Sequence, residues 1–225
     1  MPAVTAEAGA GDIARVEQLS LGPLGTNCYV VRAGGATEAA VVDPSGDASD
    51  LRLRLASSGV RCTGILVTHG HWDHLLGVAD LAEGTGAPVY MAEDEREFLE
   101  SPGPFTPAGI VVRPHTPEVL LHGGETIEVA GIPFDVVSVP GHSPAHIAYF
   151  AEGNLFSGDV LFQGSVGRTD LPGADWDTLV VSIRTLVERY PPETVVHPGH
   201  GPVTTLGAEL ARNPFLAELR AETAG

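Results

Sequence analysis

The chain has 225 residues, 43% of them apolar, which is enough to bury one sizeable core and excludes global disorder. Its formal charge is −17 and all 12 basic residues are arginine, so non-specific binding to phosphate backbones or anionic membranes is disfavoured. No apolar run approaches the ~18 residues of a membrane span, and none follows the first basic residue, Arg15, as it would in an export signal.

Residues 1–13, small and polar, are expected to form a flexible N-terminal segment. No linker or repeat divides residues 14–225, which read as a single domain. Strands are expected over 16–21, 27–33 and 38–44, separated by glycine-containing turns. Residues 47–59 read as an amphipathic helix stopped by Gly59, and 63–69 as a short buried strand that delivers His69 at its end. Asp73 is expected to cap a helix over 74–83 ended by Gly84, with a second short helix over 94–100. Five prolines make 101–117 a surface loop.

Strand patterns resume over 126–131, 132–141, 146–153 and 154–162. Residues 175–190 form a helix closed by Pro191 and Pro192, and 194–201 a last strand ending in a histidine-bearing turn, with a small helical tail. This order suggests an α+β architecture of two sheets with helices outside them. Cys28 and Cys62 fit no C-x-x-C pattern and are expected to be reduced thiols in or near the core of a cytoplasmic protein.

The chemistry concentrates in "VTHGHWDHLLG", residues 67–77, where His69, His71, Asp73 and His74 form an H-x-H-x-D-H motif. Such a motif arises by chance in about one chain of this composition per thousand. Histidine is the commonest metal ligand, and carboxylates join it at zinc and iron sites. His142, Asp159 and His200 stand beside glycines where apolar strands break into turns, so each can project from a sheet rim. The set divides into His69, His71 and His142 for one metal and Asp73, His74 and His200 for another, with Asp159 suited to bridge them. Nitrogen and oxygen donors without thiolate admit zinc, iron or manganese. His115 and His122 are expected in solvent, and His146 and His197 behind the ligands or in the packing. Trp72, Tyr149 and Trp176 are read mainly as packing residues.

These residues resemble the metallo-β-lactamase superfamily, whose hallmark is H-x-H-x-D-H followed by a distant His, Asp and His. The resemblance covers nearly the whole chain after the first dozen residues. It implies an αββα metallo-β-lactamase sandwich, two mixed sheets with helices on the outer faces, as one metallo-hydrolase domain over 14–225. His69, His71, Asp73, His74, His142, Asp159 and His200 each match a family ligand position, implying two divalent metal ions, zinc first and iron or manganese admissible.

His74 and the bridging aspartate argue against antibiotic hydrolysis, and the length argues against RNA-processing branches with extra modules. "FQGSVGRTDLPGAD" (162–175) and "HPGHGPVTTLGAELARNPFL" (197–216) are similar to short glyoxalase II-type, hydroxyacylglutathione hydrolase-like enzymes. That likeness implies metal-dependent hydrolysis of 2-hydroxyacyl thioesters such as S-lactoylglutathione by a metal-bound hydroxide, with Asp159 and Asp73 as catalytic carboxylates and Asp73 shuttling the proton. The alternative is a mono-iron persulfide dioxygenase oxidising glutathione persulfide, its iron held by His69 or His71 with His142 and Asp159.

Arg168 is expected either to contact a substrate carboxylate or to pair with Asp170 and shape its loop. Asp43 is expected to orient a ligand imidazole from behind, and Asp170 to act in support rather than ligate. The implied partner is a small-molecule thioester, with no nucleic acid and no membrane. Longer glyoxalase II enzymes grip glutathione with a basic C-terminal domain, whereas here 25 residues follow His200 and only Arg212 and Arg220 among them are basic.

Overall fold

A computed structural model describes residues 15–223; the expected flexible segment 1–13 lies outside them. Strands β1 (Arg15–Leu21), β2 (Thr26–Arg32) and β3 (Glu38–Val42) form an antiparallel meander. Strands β4 (Arg61–Leu66), β5 (Val89–Ala92) and β6 (Val119–Leu121) extend it in parallel, giving a six-stranded sheet in the order β1 to β6. The parallel crossovers carry α1 (Ala48–Ser57), then α2 (Trp72–Leu75) and α3 (Val78–Thr85), then α4 (Arg96–Glu100).

The second sheet begins with β7 (Thr126–Val129), β8 (Ile132–Ser138), β9 (Ile147–Ala151) and β10 (Asn154–Gly158). A separate ribbon of β11 (Leu161–Phe162) and β12 (Ser165–Val166) follows, then α5 (Trp176–Arg189), β13 (Val195–Pro198) and β14 (Thr204–Thr205). The sheet order is β14-β13-β10-β9-β8-β7, with only β10 and β13 parallel. Helices α6 (Leu206–Arg212) and α7 (Ala217–Thr223) close the described chain.

Side-chain alternation explains why the sheets stack. In β2, Cys28 and Val30 join the cluster beneath α1 and α3, while Tyr29 and Val31 face the second sheet. In β3, Ala39 and Val41 take the first side and Ala40 and Val42 the second. Strands buried on both faces read as continuous apolar runs, as these do. On the far side, α5 lays Leu179, Ile183 and Leu186 on the second sheet, all at 0% exposure. Each such side chain contributes about 1.5–3 kcal/mol by leaving water. The layers are therefore α, β, β, α, as the resemblance implies. Asp47 and Asp175 cap α1 and α5 by accepting from the N–H of Ser49 and Thr178, each at 2.8 Å. No described helix is long and apolar enough to cross a membrane.

Several expectations are corrected. The helix over 74–83 is two helices, and Asp73 does not cap it. The N-cap of α2 is His71, and the Asp73 carboxylate instead accepts from the Thr26 hydroxyl at 2.8 Å. Helix α3 runs past Gly84 to Thr85 and ends on Gly86 in the left-handed conformation. The strand over 154–162 breaks at Gly158, so Asp159 leaves the sheet and Leu161–Phe162 pairs elsewhere. Strands β5, β6 and β14, of two to four residues, have no counterpart among the expected elements.

Candidate metal centre

Strands β3 and β4 run parallel, as do β10 and β13, so the segments leaving their carboxyl ends collect at one rim of the sandwich. Asp43 follows β3, His69 and His71 follow β4, Asp159 follows β10, and His200 follows β13; His74 sits in α2 and His142 in the turn after β8. All seven expected ligands meet there. They form three overlapping groups, His69–His71–His142, His69–His74–Asp159 and Asp73–His74–His200, each with donor atoms within 4.8 Å of one another.

In the first group, Nδ1 of His71 lies 3.0 Å from Nε2 of His69 and 2.9 Å from Nε2 of His142. The opposite nitrogens of the two partners are already engaged. His142 Nδ1–H donates to the Arg168 carbonyl at 2.9 Å, and His69 Nδ1–H faces the Thr68 hydroxyl at 3.0 Å. Thr68 in turn donates to Asp43 at 2.7 Å. Lone pairs of His69 and His142 therefore point at His71, and one proton on His71 can satisfy only one of them. Burial pushes all three imidazoles below the ordinary histidine value, His71 to about 4, so protonation does not resolve the conflict near neutrality. A cation held between the rings does.

The second group is held by charge. His200 Nε2 lies 3.2 Å and His74 Nε2 3.5 Å from Asp73 Oδ2, and His74 Nδ1–H donates to Asp43 at 3.0 Å. Burial disfavours charge on His74, but Asp159 and Asp43 outweigh it and push its pKa well up; the bond to Asp73 raises His200. Burial works against ionised Asp73 and Asp159 too, yet His200 and His74 hold the first below its ordinary value and His74 holds the second far below.

Two buried polar atoms, Nε2 of His74 and Oδ1 of Asp159, have no hydrogen-bond partner and lie 3.5 Å apart. A Cβ on Gly199 would stand 2.1 Å from that same Oδ1 and 2.7 Å from the His74 ring, so only glycine lets the backbone pass. Neutral imidazoles in the first group, ionised carboxylates in the second and orphaned polar atoms facing one centre suit divalent cations, which would take the place of the protons on His74 and His200.

The remaining expectations resolve as follows. Asp43 grips His74 and Thr68 and touches the centre through them. Arg168 and Asp170 pair through two bonds of 2.6 and 2.7 Å on the exposed surface, and Asp170 meets no ligand. His146 stacks on His69 at 4.4 Å and donates from Nε2 to the Ser157 carbonyl; His197 stacks on Phe156 at 4.9 Å and bonds Asn154. His122 is exposed, but His115 is half-buried because its N–H donates to the Leu99 carbonyl under the proline loop. Tyr149 is buried and donates to the Val67 carbonyl, and Trp176 packs near Phe215; Trp72 both packs on the core and lines the cavity over the centre.

Sequence reasoning missed two sets of supports. Asn27 and Tyr29 of β2 donate to carbonyls of the His200 turn at 2.7–2.9 Å. Glu95, fully buried, accepts from Gly70 N–H, the Ser143 hydroxyl and Ala145 N–H. The one sequence signal for the first set is a polar pair opening an apolar strand.

A family model for the metallo-beta-lactamase superfamily matches residues 21–200, from the end of β1 to the last ligand. The chain belongs to that superfamily, a class of metal-dependent hydrolases. It is 35% identical over 184 residues to the hydroxyacylglutathione hydrolase GloC of Haemophilus influenzae, covering 79% of this chain and 87% of that one. Among solved structures it is similar to BLEG-1, described as a B3 metallo-beta-lactamase (39% identity, TM-score 0.85, 90% and 100% coverage). TTHA1623 in a di-iron-bound form is similar at 41% identity and TM-score 0.81, with 89% of this chain and all of that one covered. ETHE1 from Myxococcus xanthus follows at 26% identity and TM-score 0.75, with 91% and 85% covered.

Proposed function

We propose that residues 14–225 act as one metallo-hydrolase domain for 2-hydroxyacyl thioesters of the S-lactoylglutathione kind. In this reading His69, His71 and His142 hold one divalent ion, Asp73, His74 and His200 a second, and Asp159 spans both. Zinc comes first, with iron and manganese also admitted by these donors. The observation that carries the reading is the complete set of seven converging donors in a chain similar to GloC over 79% of its length. The two free, buried cysteines support a cytoplasmic place of work.

Bound divalent ions supply Lewis acidity, lowering the pKa of water to ~7 and polarising the acyl carbonyl. The chain's own groups do the rest. Asp43 fixes His74 in the tautomer that presents Nε2, and the Arg168 carbonyl does the same for His142. Thr26 holds Oδ2 of Asp73 at the floor of the cavity, where that carboxylate can carry a proton away from water. A C–O bond forms from water to the acyl carbon and the C–S bond breaks with its electron pair on sulfur. A thiolate of parent pKa ~8.5 departs with little help from a general acid, and the proton released by water is left for Asp73 to carry off. Arg168, engaged by Asp170, shapes the cavity wall rather than gripping a carboxylate.

The likeness to ETHE1, and His142 Nε2 lying 3.5 Å from Asp159 Oδ2, favour a second reading, a mono-iron persulfide dioxygenase on two histidines and one carboxylate. Metal content per chain and substrate turnover separate the two. Close to two metals with release of thiol from an acyl thioester supports the hydrolase. Close to one iron with oxygen uptake on glutathione persulfide supports the alternative. The likeness to BLEG-1 makes a β-lactam the third substrate; turnover of it above that of the thioester overturns the proposal.

A further inference from the structure

The cavity over the donor cluster has a volume of about 770 Å³ and walls that include Leu24, Phe98, Phe105, Phe162 and Leu171. Leu24 and Phe105 are 56% and 42% exposed, and Phe98 meets Phe105 edge to face with ring centroids 4.5 Å apart. Apolar side chains left open around a cleft mark a surface built for a ligand rather than for water.

The charges tell the same story by their placement. Of the chain's 12 arginines, only Arg168 borders this cavity, and Asp170 occupies its guanidinium with a bidentate pair. Beyond the donor cluster, an anionic carrier would meet no uncommitted cation among the described residues of the cavity wall. It would also approach against the field of a protein of net charge −17. The volume is ample for a tripeptide-sized carrier, so charge rather than size does the selecting.

We infer that the substrate's thiol carrier is uncharged and lays an apolar portion on the Phe98–Phe105 wall. This rests on the thioester-hydrolase reading above. Glutathione, whose carboxylates outnumber its ammonium, is then a poor fit despite the name of the relative.

The test uses the metal-loaded enzyme and a matched pair of thioesters. One is S-lactoylglutathione; the other is the same compound with both carboxylates as ethyl esters and the amine as the acetamide, which carries no charge. The expected result is a kcat/KM higher for the capped compound by about 10-fold or more, a gap that narrows as salt is raised to about 0.5 M. Phe105→Ala raises KM for the capped compound with kcat retained, and Phe105→Arg lifts kcat/KM for the glutathione compound. If S-lactoylglutathione is turned over as well as the capped compound or better, the carrier inference is overturned while the hydrolase stands. If the loaded enzyme releases thiol from neither, the thioester reading falls and this inference with it.

Discussion

Glu95 accepts a hydrogen bond at 2.5 Å from the N–H of Gly70, the residue between His69 and His71. Its other oxygen takes the Ser143 hydroxyl and the Ala145 N–H at 2.5 and 2.9 Å, just past His142. One buried carboxylate thus clamps the two turns that carry the three-histidine group. Burial raises its pKa, and those three donors, together with the charge of His74, work against the rise. Glu95→Gln keeps the size but sets an amide NH₂ against a backbone N–H. The expected loss is about 10–100-fold in affinity at the His69–His71–His142 site, with the Asp73–His74–His200 site unchanged. Chelator competition that resolves the two sites checks this, and equal weakening of both would refute it.

Asp43 makes three contacts of 2.7–3.0 Å, to the N–H and hydroxyl of Thr68 and to Nδ1 of His74. Asp43→Asn can present an NH₂ where His74 needs an acceptor, freeing the ring to turn. We expect activity to fall about 10–100-fold while the metal-free protein keeps its far-UV circular dichroism. A variant with wild-type kcat would mean that His74 needs no such anchor.

The two groups should bind metal with different pH dependence. Burial depresses His69, His71 and His142 below the ordinary histidine value, His71 to about 4, so a cation entering there near neutrality has few protons to displace. His74 and His200 are raised by their carboxylate neighbours and carry protons the cation must expel. Affinity at the second site therefore rises with pH through the neutral range, and affinity at the first stays level. In the metal-free protein the raised histidines stabilise the fold fully below the unfolded value of ~6.5, and this is lost as pH climbs through their folded values. Calorimetric titrations in buffers of different ionisation enthalpy count the protons. Equal release at both sites would contradict this account.

Gly199→Ala puts a methyl group 2.1 Å from Oδ1 of Asp159. That carboxylate, 3.5 Å from His74, His142 and His200, must move while the sheets, whose cores lie elsewhere, stay packed. The expected phenotype is a folded protein holding fewer than two metals and without turnover. Asp159→Ala should match it in activity. Elemental analysis with circular dichroism separates this from unfolding.

Much of the donor cluster was readable from residue order because four of its residues lie within positions 69–74 and the other three each stand beside a glycine where a strand ends. Helices α1 and α5 were equally plain, each opening on an aspartate cap. Asp73 misled because an aspartate before an apolar helix is also the mark of an N-cap; Thr26 and His200, both remote in sequence, draw its carboxylate toward the donor cluster instead. Glu95 lay hidden in an acidic stretch that reads as a solvated face, since its partners include backbone donors of two distant turns. The strands β5, β6 and β14 are too short for alternation to register, and only pairing with longer neighbours defines them.

The donor cluster is divided between the two sheets' halves of the chain: His69, His71, Asp73 and His74 precede β6, while His142, Asp159 and His200 follow β7. Bound ions would therefore act as cross-links, closing loops through the chain much as a disulfide does, in a protein whose two cysteines stay free. Each sheet can pack its own helices, but the seam between them is fastened at the rim by Asn27, Tyr29 and whatever sits among the seven donors. Loading with metal should slow unfolding as well as switch on chemistry, so that catalytic competence and mechanical closure of the sandwich arrive together.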